Sequence, residues 1–170
     1  MRLASSHKAI GKMIVPLRGL FVVVAAALGA AIASAAAEDA FYLGTWKLES
    51  AVVAPWADRG SKPDAAEMKS LIGKYVALKP AAITGPKPLA CKGPHYNVSD
   101  FTADMLFQGS LGEMHEGDKS KDPRALAAAL GFAGTSWKTL ETGCEIDWHF
   151  VDPSTAEIGL DDYVYTLKKQ

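Results

Sequence analysis

The chain has 170 residues, with 18 Lys and Arg against 19 Asp and Glu, 49% hydrophobic residues and two cysteines. Its first 37 residues hold four of those bases and no acid, so the remainder carries 14 bases against 19 acids. That surplus of acid excludes an electrostatic nucleic-acid binder, which needs clustered Lys and Arg to displace counterions. The roughly 130 residues that remain suffice for one domain.

Arg2, Lys8, Lys12 and Arg18 precede an uncharged run from Gly19 to Ala37, and small residues lead up to the first acid, Glu38. This order predicts a cleaved secretory signal over residues 1–37, cut after Ala37 or alternatively Ala35, and a single secreted domain over 38–170. The run approaches the ~20 residues that span a bilayer. Its Ala and Gly content points to cleavage, with no stable membrane insertion afterwards. The expected compartment is the periplasm. It is oxidising, so Cys91 and Cys144 are expected to form a disulfide in preference to a thiol nucleophile paired with His95 or His149.

From Phe41 to Trp56, β-branched and aromatic residues read as a strand. Asp64, Glu67 and Gly73 mark the cap, first turn and end of a short helix. "KYVALKPAAITGP" reads as two strands about Lys79-Pro80, and Cys91 falls at a turn marked by Gly93-Pro94. Residues 100–117 are ambiguous between helix and strand. A helix over Pro123 to Leu130 follows Asp122 as cap, with Pro at its first position. Trp137 to Phe150 reads as one long strand, Thr155 to Leu160 as its return past Asp152-Pro153, and "YVYTL" as the last strand past Asp161-Asp162.

In that long strand Cys144, Ile146, Trp148 and Phe150 share one face, and alternation predicts that Glu145, Asp147 and His149 lie on a solvated one. His149 and Asp147, two apart, could chelate copper or zinc if His95, or His115 from the polar loop Glu113 to Asp122, came across. No His-Glu-x-x-His, Cys-x-x-Cys, Gly-x-Ser-x-Gly or phosphate-binding glycine loop is present, so neither an enzyme nor a cofactor is expected. Trp46, Trp137, Trp148, Tyr163 and Tyr165 are candidates to line an apolar ligand site.

"LGTWKLES" resembles the Gly-x-Trp opening of lipocalin and calycin-like barrels, with Gly44 starting the first strand and Trp46 plugging the base. "LDDYVYTL" resembles their later Asp-Tyr element at Asp162 and Tyr163. Lipocalins follow that element with a further strand and an arginine packed on the tryptophan, whereas seven residues follow Tyr163 here. The chain also resembles a type of small secreted proteobacterial protein, which implies export and no particular activity. The resemblance implies a mainly β fold, an antiparallel lipocalin-like barrel or curved sheet, to which the residues add one or two short helices. The expected function is a non-enzymatic binding protein for a small hydrophobic ligand or an envelope partner. A metal-binding protein, a protein inhibitor or assembly factor, and a small hydrolase are the alternatives. Intact mass of the exported protein should begin at Glu38; a mass that retains the first 37 residues would refute cleavage.

Overall fold

The computed structural model describes residues 41–58, 60 and 62–170, so the expected signal segment over 1–37 lies outside the described residues. Nine antiparallel strands form one sheet: β1 (Gly44–Val53), β2 (Tyr75–Lys79), β3 (Ala82–Thr84), β4 (Cys91–Lys92), β5 (Asn97–Phe101), β6 (Trp137–Glu141), β7 (Trp148–Asp152), β8 (Thr155–Leu160) and β9 (Tyr163–Lys169). Their order is β4-β3-β2-β1-β9-β8-β7-β6-β5. Among the described residues three short α-helices accompany them: α1 (Ala65–Leu71), α2 (Ser110–Gly117) and α3 (Pro123–Ala129). Asp64 caps α1 by accepting from the Ala66 and Glu67 amides, and Asp122 caps α3 through the Arg124 amide. The expected mainly β curved sheet is therefore present, with one helix more than the sequence indicated, because the ambiguous segment ends in α2.

The sheet has to curl. Nine strands spaced by ~4.8 Å would span ~38 Å if flat. Its two edges, β4 and β5, are joined only by residues 93–96, which reach at most ~18 Å. The result is a half-barrel whose seam is closed by several contacts. Cys91 in β4 is disulfide-bonded to Cys144 in the β6–β7 turn. The Tyr96 hydroxyl donates to the Lys79 carbonyl at 2.9 Å, and the His95 amide to the Thr142 carbonyl at 2.8 Å.

The enclosed face buries Trp46, Leu48, Val76, Leu78, Ile83, Leu140, Trp148, Phe150, Ile158, Tyr165 and Leu167 in one cluster. Trp46 and Trp148 meet edge to face with centroids 5.9 Å apart, and α1 packs Leu71 and Met68 against the same cluster. The opposite face is covered by residues 102–136. There Leu106, Phe107, Leu111, Ala127, Phe132 and Trp137 form a second cluster over Ala54 and Val164. A Cβ on Gly159 would sit 3.1 Å from Trp56 and 3.3 Å from Phe107, so glycine lets both rings approach the sheet closely.

The expected single strand from Trp137 to Phe150 is corrected to two. Thr142 leaves the ladder, Gly143 (φ 67°) and Glu145 (φ 72°) turn the chain, and β7 returns antiparallel with His149 opposite Thr139. Cys144 thus sits in a turn and does not face the core from a strand. Likewise, Glu113 to Gly117 of the expected polar loop is helical.

Replacing both cysteines by serine frees a loop with a sequence separation of 53. We expect urea unfolding to show a loss of about 4 kcal/mol. A loss below ~1 kcal/mol would mean that the seam holds without its cross-link.

Candidate functional site

One rung of the sheet is polar from edge towards edge. The strand registers align Ser99, Thr139, His149, Glu157, Thr166 and Ser50. Thr139 and His149 are fully buried and Glu157 is 6% exposed. The expectation of a solvated His149 is thereby corrected: the helical layer covers this face, so period-two alternation no longer separates core from solvent.

The His149 tautomer follows from its partners. The Phe107 amide donates to Nε2 at 2.9 Å, so Nε2 is the unprotonated nitrogen and Nδ1–H donates to Thr139 Oγ1, also at 2.9 Å. Burial pulls its pKa down to about 3, and the ring stays neutral. This bond anchors a turn in which Phe107 (φ 55°), Gln108 (φ 55°) and Gly109 (φ 83°) are all left-handed. Such a conformation costs a β-carbon-bearing residue roughly 1–2 kcal/mol. Next along the rung, Glu157 receives a 3.5 Å contact from the Thr166 hydroxyl at Oε1, while its buried Oε2 has no partner among the described residues. Burial pushes its carboxyl up to about 7, against the smaller opposing effect of Thr166.

Asp147 is half-buried, and its pKa is raised by that burial and by the Glu141 charge, with the Gln108 amide acting against both. Glu141 itself accepts from Asn97 at 2.7 Å and Ser99 at 3.1 Å. The third proposed metal ligand, His115, lies in α2 with Nδ1 2.8 Å from the Lys121 carbonyl. Among the described residues no group of three or more His, Cys, Asp or Glu is gathered as a metal site. Both ring nitrogens of His149 are already engaged.

The five aromatic candidates are divided. Trp46, Trp148, Tyr163 and Tyr165 belong to the enclosed cluster, while Trp137 lies in the other and donates to the Ala133 carbonyl at 3.1 Å. Trp46, Trp148 and Tyr165 are 0–2% exposed within the enclosed face of the curled sheet. Open space lies instead beside α1. A groove of about 500 Å³ runs between Glu67, Ser70 and Leu71 of α1, Lys74 and Tyr75 at the start of β2, and the Gly85-Pro86-Lys87-Pro88 segment. A Cβ on Gly85 would lie 3.0 Å from the Tyr75 carbonyl, so this glycine sets how closely the two walls approach. Tyr75 is 54% exposed. A smaller recess of about 140 Å³ shares Glu67 with the groove and is lined by Asp64, Asp161, Asp162, Tyr163 and Tyr165. There burial, reinforced by Glu67 and Asp161, pushes the Tyr165 hydroxyl up to about 12. The sequence reading had not singled out Lys74, Tyr75 or Gly85 to Pro88. Their signal was the proline-rich "TGPKP" at the end of a hairpin whose first strand opens on Tyr75.

Comparison with family models, curated proteins and solved structures gives no match, so the meaning of this site rests on its residues and their geometry.

The rung predicts a divided pH response. Unfolded His149 binds a proton between about pH 3 and 6.5 that the folded ring refuses, so it makes stability rise with pH. Folded Glu157 holds a proton that the unfolded chain loses between pH 4.5 and about 7, so it makes stability fall. From pH 4.5 to 6.5 the two oppose each other. Glu157→Gln should therefore leave a rise steeper than the parent's by up to about 1.4 kcal/mol per pH unit in urea melts. Identical slopes in parent and variant would show that Glu157 ionises normally.

Proposed function

We propose that this chain is a non-enzymatic periplasmic binding protein on a lipocalin-like scaffold, whose small ligand or envelope partner engages the groove beside α1 and not the barrel interior. One contrast carries the reading: Trp46, Trp148 and Tyr165 fill the interior at 0–2% exposure, while Tyr75 stands 54% exposed in an open groove. The groove's volume falls within the ~300–1,000 Å³ of ordinary small-molecule sites.

The lipocalin-like assignment draws support from the base of the sheet. Gly44 opens β1 with φ 133°, and buried Trp46 donates from Nε1 to the Tyr42 carbonyl at 2.9 Å. The Lys169 ammonium lies 5.6 Å from the Trp46 ring centroid and donates to the Phe41 carbonyl. A cation on the tryptophan is what the lipocalin resemblance implies, here supplied by lysine. Periplasmic residence draws support from the N-terminal pattern and from the Cys91–Cys144 disulfide, which suits an oxidising compartment.

Amide and indole NMR during titration with envelope lipids, and separately with soluble envelope proteins, tests the reading. Shifts are expected at residues 67–75 and 85–88, with the Trp46 and Trp148 indoles unmoved. Tyr75→Ala should weaken that binding about tenfold while changing stability by no more than ~0.5 kcal/mol, as for an exposed side chain. Indole shifts without groove shifts would move the site into the barrel, and no shift with either fraction would remove the binding reading.

A further inference from the structure

The groove's charge pattern narrows its ligand. Beyond residue 37 the chain is acidic, yet Lys74 and Lys87 both line this groove. Neither ammonium has a carboxylate partner among the described residues, where the ion pairs are Lys47–Glu49 and Lys138–Asp100. Against the single carboxylate of Glu67, these two cations leave the concave wall net positive, which raises the local concentration of anions. The backbone adds little. Pro86 and Pro88 carry no N–H, and the amides of Leu89 and Ala90 are spent on the Pro86 carbonyl at 2.9 and 3.0 Å. An anion here is therefore held by side-chain ammonium groups, which act as point charges and accept carboxylate or phosphate alike.

The same geometry disfavours a peptide occupant. β2 is paired with β1 on one side and β3 on the other, so a peptide has no free strand edge to extend at this place. The rest of the lining is mainly apolar, Leu71, Tyr75, Pro86 and Pro88, with the polar Ser70 and Glu67 on the α1 wall, where Glu67 also borders the neighbouring recess. Orientation follows from the neighbouring recess, where Asp64, Asp161 and Asp162 would repel an anionic head.

We propose that the groove binds a small amphipathic anion, its carboxylate or phosphate head at Lys74 and Lys87 and its apolar body along Leu71, Tyr75, Pro86 and Pro88. This rests on the groove being the binding site and adds the chemical class of ligand. Full-length secreted protein would be titrated, below micelle concentrations, with dodecanoate, dodecyl phosphate, dodecyl maltoside and dodecyltrimethylammonium, and with inorganic phosphate. Calorimetry would give affinity and NMR the location. Both anionic amphiphiles are expected to bind at residues 67–75 and 85–88 at least tenfold more tightly than the neutral or cationic one. Inorganic phosphate should leave the groove unperturbed, which separates an amphiphile site from a simple anion site. The double variant Lys74→Glu/Lys87→Glu, two exposed positions, should keep the parent melting curve and lose about tenfold in affinity for both anions, as expected for exposed ion pairs. Equal binding of neutral and anionic chains, preference for the cation, or an unchanged affinity in the double variant would overturn the anion assignment while leaving the groove as the site. Absence of groove shifts with every amphiphile would overturn this assignment too, while the titration with envelope proteins decides the broader reading separately.

Discussion

Four residues between β4 and β5 govern this architecture. Because the strands at the two margins of a nine-stranded sheet are consecutive in sequence, the chain can satisfy its short connection only by rolling the sheet upon itself. Enclosure of Trp46, Trp148, Phe150 and Tyr165 follows from that roll. The disulfide, the Tyr96 hydroxyl and the His95 amide all lie along the seam it creates. An exposed strand margin invites pairing with another chain, and a two-residue β4 stapled to the β6–β7 turn leaves little of that margin to offer.

The other face has its own core, and the central strands are consequently buried on both sides. In β8 Thr155, Ala156, Glu157 and Ile158 are all buried. A polar rung inside such a sheet has to be satisfied internally. His149 meets the requirement with one bond from each ring nitrogen, and the same bonds tie the left-handed turn at Phe107 to the sheet. Glu157 meets it on one oxygen only. The imidazole thus fastens two layers together, tying the Phe107 turn to Thr139 in β6.

Local signals in the sequence were reliable where a short-range interaction decides the structure. Asp64 and Asp122 cap their helices through side-chain acceptors, Lys79-Pro80 and Asp161-Asp162 mark hairpin turns, and Cys91 and Cys144 form the expected disulfide. What escaped was non-local. Residues 137–150 read as an unbroken strand because their apolar alternation runs through Thr142-Gly143-Cys144, although the glycine was a visible sign of a turn. The burial of His149 depends on a helical layer supplied by residues 102–136, which no window around the histidine contains. The Phe107-Gln108 turn is held by a side chain 42 residues away, and the groove assembles from two segments that meet only once β2 and β3 have paired.

The placement of β9 also bears on how the chain comes to be folded. Gly44–Val53 sits between β2 and Tyr163–Lys169, so the first strand of the sheet waits for the last. Pairings across more than a hundred residues form slowly, because loop closure must precede the contacts that reward it. The hairpins β6–β7 and β7–β8 involve short separations and can form early, but the four strands from β1 to β4 stay detached from them until β9 arrives. During synthesis the emerging chain therefore has no complete sheet to collapse into, and the two halves of the sheet join only once residues 163–169 are free to pair.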